Sequence, residues 1–167
     1  ALAAAVLGGL LVGACEALTG PSEPVVCPAV LVVADAAKDT KYREGGTDLT
    51  DVRFAAAVEN VNWVCVYHDD GTAEIEITVD FSAFRGPAAG DGPARFDYFV
   101  ALADPRREIL AKQVFDLVVP FEGNLTAVTV RRVAGVTFHV ESPSVGAAHR
   151  IFVGFQLDAA ELERNRR

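Results

Sequence analysis

Methionine is absent from the 167 residues, and the aromatic set is thin, with one Trp, three Tyr and ten Phe. So few Trp and Tyr argue against a carbohydrate-binding face, which is built from exposed rings. Cations are in the minority, 15 Lys and Arg against 23 Asp and Glu, giving a net charge of −8. That balance excludes a phosphate-backbone binder, so no nucleic-acid partner is expected. The pairs Arg106-Arg107 and Arg131-Arg132 read as solvated charges at strand ends. Signatures of catalysis are missing too. Ser82, Ser142 and Ser144 lack the elbow that exposes a hydrolase serine, and Ser142-Pro143-Ser144 reads as a turn. The loop Gly86–Pro93 has glycines but no Lys-Ser/Thr ending to cradle a phosphate, so it reads as a connector. No calcium loop of the EF-hand type occurs. No apolar run approaches the roughly 20 residues of a spanning helix, since the first ends at Ala14.

What the chain does contain is β-pattern. Val30–Ala34 is continuously apolar and β-branched, as in a strand covered on both faces. Val52, Phe54, Ala56 and Val58 share one face, with Arg53 and Glu59 on the other, as in a half-buried strand. After Glu59 the phase changes, and Val61, Trp63, Cys65 and Tyr67 become the larger partners. A one-residue slip turns every side chain over, so a bulge near Asn60 is expected. Asp70-Gly71 marks a hairpin. The returning strand places Ile75, Ile77, Val79, Phe81 and Ala83 on one face, with Glu74, Glu76 and Asp80 on a wet, acidic face. Phe96–Leu102, Ile109–Val119, Leu125–Arg132, Val136–Glu141 and Arg150–Leu157 read as further strands. Asp104-Pro105 and Glu122–Asn124 read as turns. Asp158 and Glu161 have the spacing of a capping box, so a short helix to about Glu163 follows. The fold expected is all-β: an antiparallel, immunoglobulin-like sandwich of about 7–9 strands with a short C-terminal helix. A jelly roll or small barrel is the alternative.

Candidate ligands are sparse. His68, Asp69 and Asp70 form the densest cluster, but neighbours on a strand end point to opposite faces, so no metal or other cofactor is expected there. His139 and His149 have no carboxylate at ligand spacing. Asp48 and Asp51 beside Gly45-Gly46 are a weak calcium candidate. Trp63, bracketed by Val61 and Val64, reads as core rather than as a binding platform. Asn124-Leu125-Thr126 matches a glycosylation sequon.

The stretch Leu10–Cys15 changes this picture. The uncharged run Ala1–Ala14 has the length of a signal-peptide apolar region, about 7–15 residues. It ends in the small residues Gly13 and Ala14, then Cys15, and the charge begins at Glu16. The pattern resembles the lipobox of bacterial lipoproteins, with Val12 where leucine is more usual. The resemblance implies a diacylglyceryl group on Cys15, cleavage before it, and attachment to the cell envelope facing the periplasm. In that family an aspartate after the cysteine favours inner-membrane retention. Glu16 stands there instead, and so favours the outer membrane. An uncleaved anchor or an ordinary signal would also put the domain outside the cytoplasm. The alanine start, with neither initiator nor basic segment, is that of a fragment or truncated gene start.

On this reading residues 1–14 are a signal remnant and 15–24 the lipidated cysteine and a Pro-containing tether. Residues 25–167 form one sandwich domain. The nine tether residues after Cys15 span at most roughly 30 Å, at about 3.3–3.6 Å each, which keeps the domain near its membrane. With Cys15 acylated, Cys27 and Cys65 remain as an even pair in an oxidising compartment. A disulfide between them is expected, with two separate buried thiols as the alternative. The remaining sequence resembles uncharacterised bacterial envelope proteins that end in a strand and a short polar helix, a resemblance that carries no function. The chain is therefore expected to be a non-enzymatic, membrane-anchored lipoprotein that binds an envelope protein or aids assembly. A periplasmic small-ligand or metal-binding lipoprotein using His68, Asp69 and Asp70 is the alternative.

Overall fold

A computed structural model describes residues 25–166. Cys15 and the whole of segment 1–24 lie outside the described residues. The strands are β1 (Ala29–Val32), β2 (Lys38–Tyr42), β3 (Val52–Tyr67), β4 (Thr72–Arg85), β5 (Ala94–Ala103), β6 (Ile109–Val119), β7 (Ala127–His139) and β8 (Arg150–Phe155). Two short helices, α1 (Pro143–Ala147) and α2 (Ala159–Asn165), flank β8. The first sheet runs β1-β8-β5-β6 and the second β2-β3-β4-β7. No ladder joins the two sheets, so the eight strands form an immunoglobulin-like sandwich and not a closed barrel. All pairings are antiparallel except that of β1 with β8.

Period-2 alternation builds the core. Ile75, Ile77, Val79 and Phe81 of β4 are fully buried, whereas Glu74 and Glu76 between them are exposed. The rings of Phe81, Tyr98 and Phe155 meet at 4.9 and 5.6 Å, which locks β4 onto β5 and β8 of the facing sheet. The β3–β4 register shifts between Val58 and Asn60, where the sequence changes phase. Both halves of β3 thereby turn their larger side chains inward. Asp158 accepts from the Glu161 amide and Glu161 from the Asp158 amide, a complete capping box that starts α2.

Several expectations need correction. β1 is a sheet edge, and Leu31 and Val32 are each 39% exposed, so it is not covered on both faces. Leu125–Arg132 and Val136–Glu141 are one strand, because Gly135 continues the ladder opposite Glu76. Arg131 and Arg132 consequently sit inside β7, and Arg131 makes a two-pronged pair with Asp80 at 2.7 and 3.0 Å. Ser142-Pro143-Ser144 opens α1, with the Ser142 side chain capping Val145 and proline in the first turn, its favoured place. The helix α2 reaches Asn165, beyond Glu163. Trp63 lies in register with buried Ile77 yet is 38% exposed. Pairing with β2 stops at Ala57, so Trp63 has no strand beside it on that flank.

Candidate functional site

The charged hairpin between β3 and β4 comes first, because it holds the densest set of potential ligands. Asp70 accepts from the Thr72 amide at 2.9 Å, which holds its carboxyl below the usual range. His68 Nε2 lies 3.3 Å from Glu74 Oε2, both side chains being largely exposed. His68 and Asp69 border a cleft of about 260 Å³ with Tyr67, Glu141 and Ser142. Asp70 is turned back into its own turn. Among the described residues no three His, Cys, Asp or Glu side chains converge as metal ligands. Asp48 and Asp51 also serve the backbone: Asp48 accepts from Thr50, and Asp51 accepts from Thr47 and Asp48 and pairs with Arg43. Those two amide bonds, then Arg43, hold the Asp51 carboxyl low.

The two cysteines of the described residues are joined. Cys27 and Cys65 form a disulfide with Cα atoms 5.6 Å apart. It ties the segment before β1 to the far half of β3. The Tyr67 hydroxyl donates to the Val26 carbonyl beside it. Gly146 is required there, since a Cβ would sit 2.4 Å from the Tyr67 ring.

A second cluster lies between β2 and α2. Asp39 is 1% exposed, and burial raises its pKa. Lys41 Nζ stands 3.0 Å from Asp39 and 2.8 Å from Glu161. Burial pulls the ammonium down, but these carboxylates more than offset it, and Lys41 stays charged. Neither Asp39 oxygen completes a hydrogen bond. The small space around it, about 80 Å³, is polar and bounded by Thr40, Tyr42 and Asn165. The group fastens α2 to the sandwich.

An opening lined largely by apolar side chains lies elsewhere, between the margins of the two sheets. Strands β6 and β7 are the last strands of their sheets on the same side, and the cleft between them holds about 350 Å³. Its floor is Val100 and Leu102 of β5, and its walls are Phe115 of β6 and Val136 of β7. The cleft has a closed foot. Leu117 and Val119 are fully buried there, whereas Ala111 and Gln113 higher on the same face of β6 are exposed. Arg132 marks the boundary. Its guanidinium donates to the Val118 carbonyl of β6 at 3.1 Å and to the Arg131 carbonyl at 2.9 Å. Above that bridge the margins are Ile109–Phe115 and Val133–His139, which contain no carboxylate in a chain that has 23. The sequence pattern does not reveal this opening, because it divides β7 into Leu125–Arg132 and Val136–Glu141 and places Arg131-Arg132 at a strand end. A glycine inside an otherwise regular β-pattern was the available signal.

Beside these apolar side chains the lining carries the polar groups of Lys112, Gln113 and Thr137. No protein-family model and no curated protein matches the chain.

Proposed function

We propose that this protein is a non-enzymatic envelope lipoprotein, held to its membrane through Cys15, that binds another protein by the open side of its sandwich. The observation that carries the reading is the apolar, carboxylate-free cleft between β6 and β7, set in an acidic molecule. Two further facts support it. A structural disulfide belongs to an oxidising compartment, as the periplasm is. The lipobox-like Leu10–Cys15 stands a short tether away from the first described residue. No described helix is long and apolar enough to cross a membrane, so in this reading the lipid is the anchor.

The test is Cys15→Ser in the chain, expressed in a bacterium behind a start codon and a basic leader. The unsubstituted protein should take up labelled fatty acid and stay with membranes through a high-salt wash. The variant should lose both while keeping its disulfide. One acyl chain of about 14 carbons binds only reversibly, so full retention needs the complete lipid group. Retention of Cys15→Ser after the wash would remove the lipid anchor from the reading.

A further inference from the structure

We infer that the free margin of β7 is a docking site for an extended peptide segment of a partner protein, which adds to the second sheet as a fifth strand. The inference deepens the protein-binding reading above and rests on it.

Backbone direction is the first argument. The Val140 amide donates to the Gly71 carbonyl. In an antiparallel pair such bonds alternate along the strand. The amides and carbonyls of Phe138, Val136 and Ala134 therefore face β4, and those of Val133, Gly135 and Thr137 face outward. On the opposite margin the Gln156 amide donates to Asp97, which turns Asp97 and Phe99 toward β8. The same alternation directs the amides and carbonyls of Lys112, Val114 and Val118 of β6 out of the sheet. The Arg132 bridge agrees with this. Both of its acceptors, the carbonyls of Val118 and Arg131, belong to the outward sets, so the guanidinium caps the two margins at the foot of the cleft. Above it, the outward groups of Val133, Gly135 and Thr137 have no partner among the described residues.

Glycine is the second argument. Gly154 in β8 is explained from within, because a Cβ there would lie 2.9 Å from Ala36. Gly135 has no such reason. Its φ is not positive, and a Cβ would meet nothing within 4 Å. A glycine in a strand weakens it by roughly 0.5–1 kcal/mol relative to alanine. With no side chain at Gly135, which pairs with exposed Glu76, the outer face beside this margin lies open as well.

Charge names the occupant. Arg132 has only carbonyl acceptors, and no acid lies on the margins above it. A segment with apolar residues at alternate positions would send them over Val100, Leu102, Phe115 and Val136. A carboxylate at its end would meet Arg132. A second copy of this chain fits less well, since each copy brings a net charge of −8.

The probe is a fluorescent synthetic peptide of about seven residues, the length of a short strand. It alternates valine with serine and ends in a free carboxylate. The full chain in mild detergent should bind it saturably. Hydrogen exchange should slow at Val133, Gly135 and Thr137 and not at β1. Gly135→Pro, which removes an outward amide and no ladder bond, should weaken binding at least about tenfold. Should that variant unfold, the same peptide N-methylated on alternate amides removes the bonds from the other partner, and it should fail to bind. Arg132→Gln should erase the preference for the free carboxylate over its amide. Equal binding of the N-methylated peptide, or no binding at about 1 mM, would overturn the inference. So would protection of β7 by protein concentration alone, which would make a second copy the occupant. Cys15→Ser should bind the probe unchanged, so that loss of anchoring and loss of docking are read separately.

Discussion

On the side where β1 and β2 end the sheets, the chain covers its own margins, whereas on the side of β6 and β7 it leaves them open. The first side carries the Cys27–Cys65 bond, the 3-10 turn Ala34–Ala36 that crosses between the sheets, and the helix α2. Asn165 of α2 donates to the carbonyls of Asp35 and Lys38, at 2.9 and 2.8 Å, and Arg166 pairs with Asp35 at 2.8 Å. The contact to the Lys38 carbonyl satisfies a backbone group that the β2 edge would otherwise expose, and the two at Asp35 hold the 3-10 turn beside it. The second side has one bridge, Arg132, and above it two bare margins. Natural sheets blunt such edges with charge, proline or a covering element. This molecule does so on one side only, so the bare side is not a general failure of its design. The covered side stabilises, and the bare side is left for contact.

The comparison can be broken first on the covered side. Replacing Cys27 and Cys65 together by alanine should cost about 3–4 kcal/mol, the chain-entropy value for a 38-residue loop. Urea unfolding measures it, and a loss under about 1 kcal/mol would transfer the sealing role to α2. The next test compares two points on one strand. Leu117→Ala, at the fully buried foot of β6, should cost about 2–5 kcal/mol. Ile109→Ala, 56% exposed at the open end, should stay within about 0.5. Equal losses would mean that the open end of β6 is covered in solution.

The smallest effect concerns pH. Asp39 has its pKa raised by burial, against about 3.9 in an unfolded chain. Its contribution to stability is therefore complete below about pH 3.9 and is lost as pH rises through the raised folded value. Asp39→Asn should flatten the fall of melting temperature above about pH 4. Parallel curves for the two proteins would show that Lys41 already neutralises the cost.

Most of the strand pattern was legible because it is local. Ile75, Ile77 and Val79 announce their face by alternation, Asp70-Gly71 its hairpin, Asn60 its bulge, and Asp158 with Glu161 the helix cap. β2 was not legible, because Lys38, Asp39 and Lys41 give no apolar alternation. It exists through its register with β3 and through the side chains that α2 supplies. Trp63 misled for a related reason. Its face was right, but its exposure depends on where a different strand stops. The candidate site was least legible. Whether a strand is an edge is set by sheet order, and His68, Asp69 and Asp70 drew notice by composition alone. The disulfide was legible by count once Cys15 was set aside, and the structure joins the remaining pair.

The parallel pairing of β1 with β8 also sets a timetable. Ala29 lies opposite Arg150, about 120 residues later in the chain. Contacts so distant form slowly, because the whole intervening loop must first be closed. The first of the described strands is therefore among the last of them to find its neighbour. Until Arg150–Phe155 has emerged, Ala29–Val32 has no ladder to join. A chain cut short before β8 leaves β1 without its partner and reduces the first sheet to the β5–β6 pair.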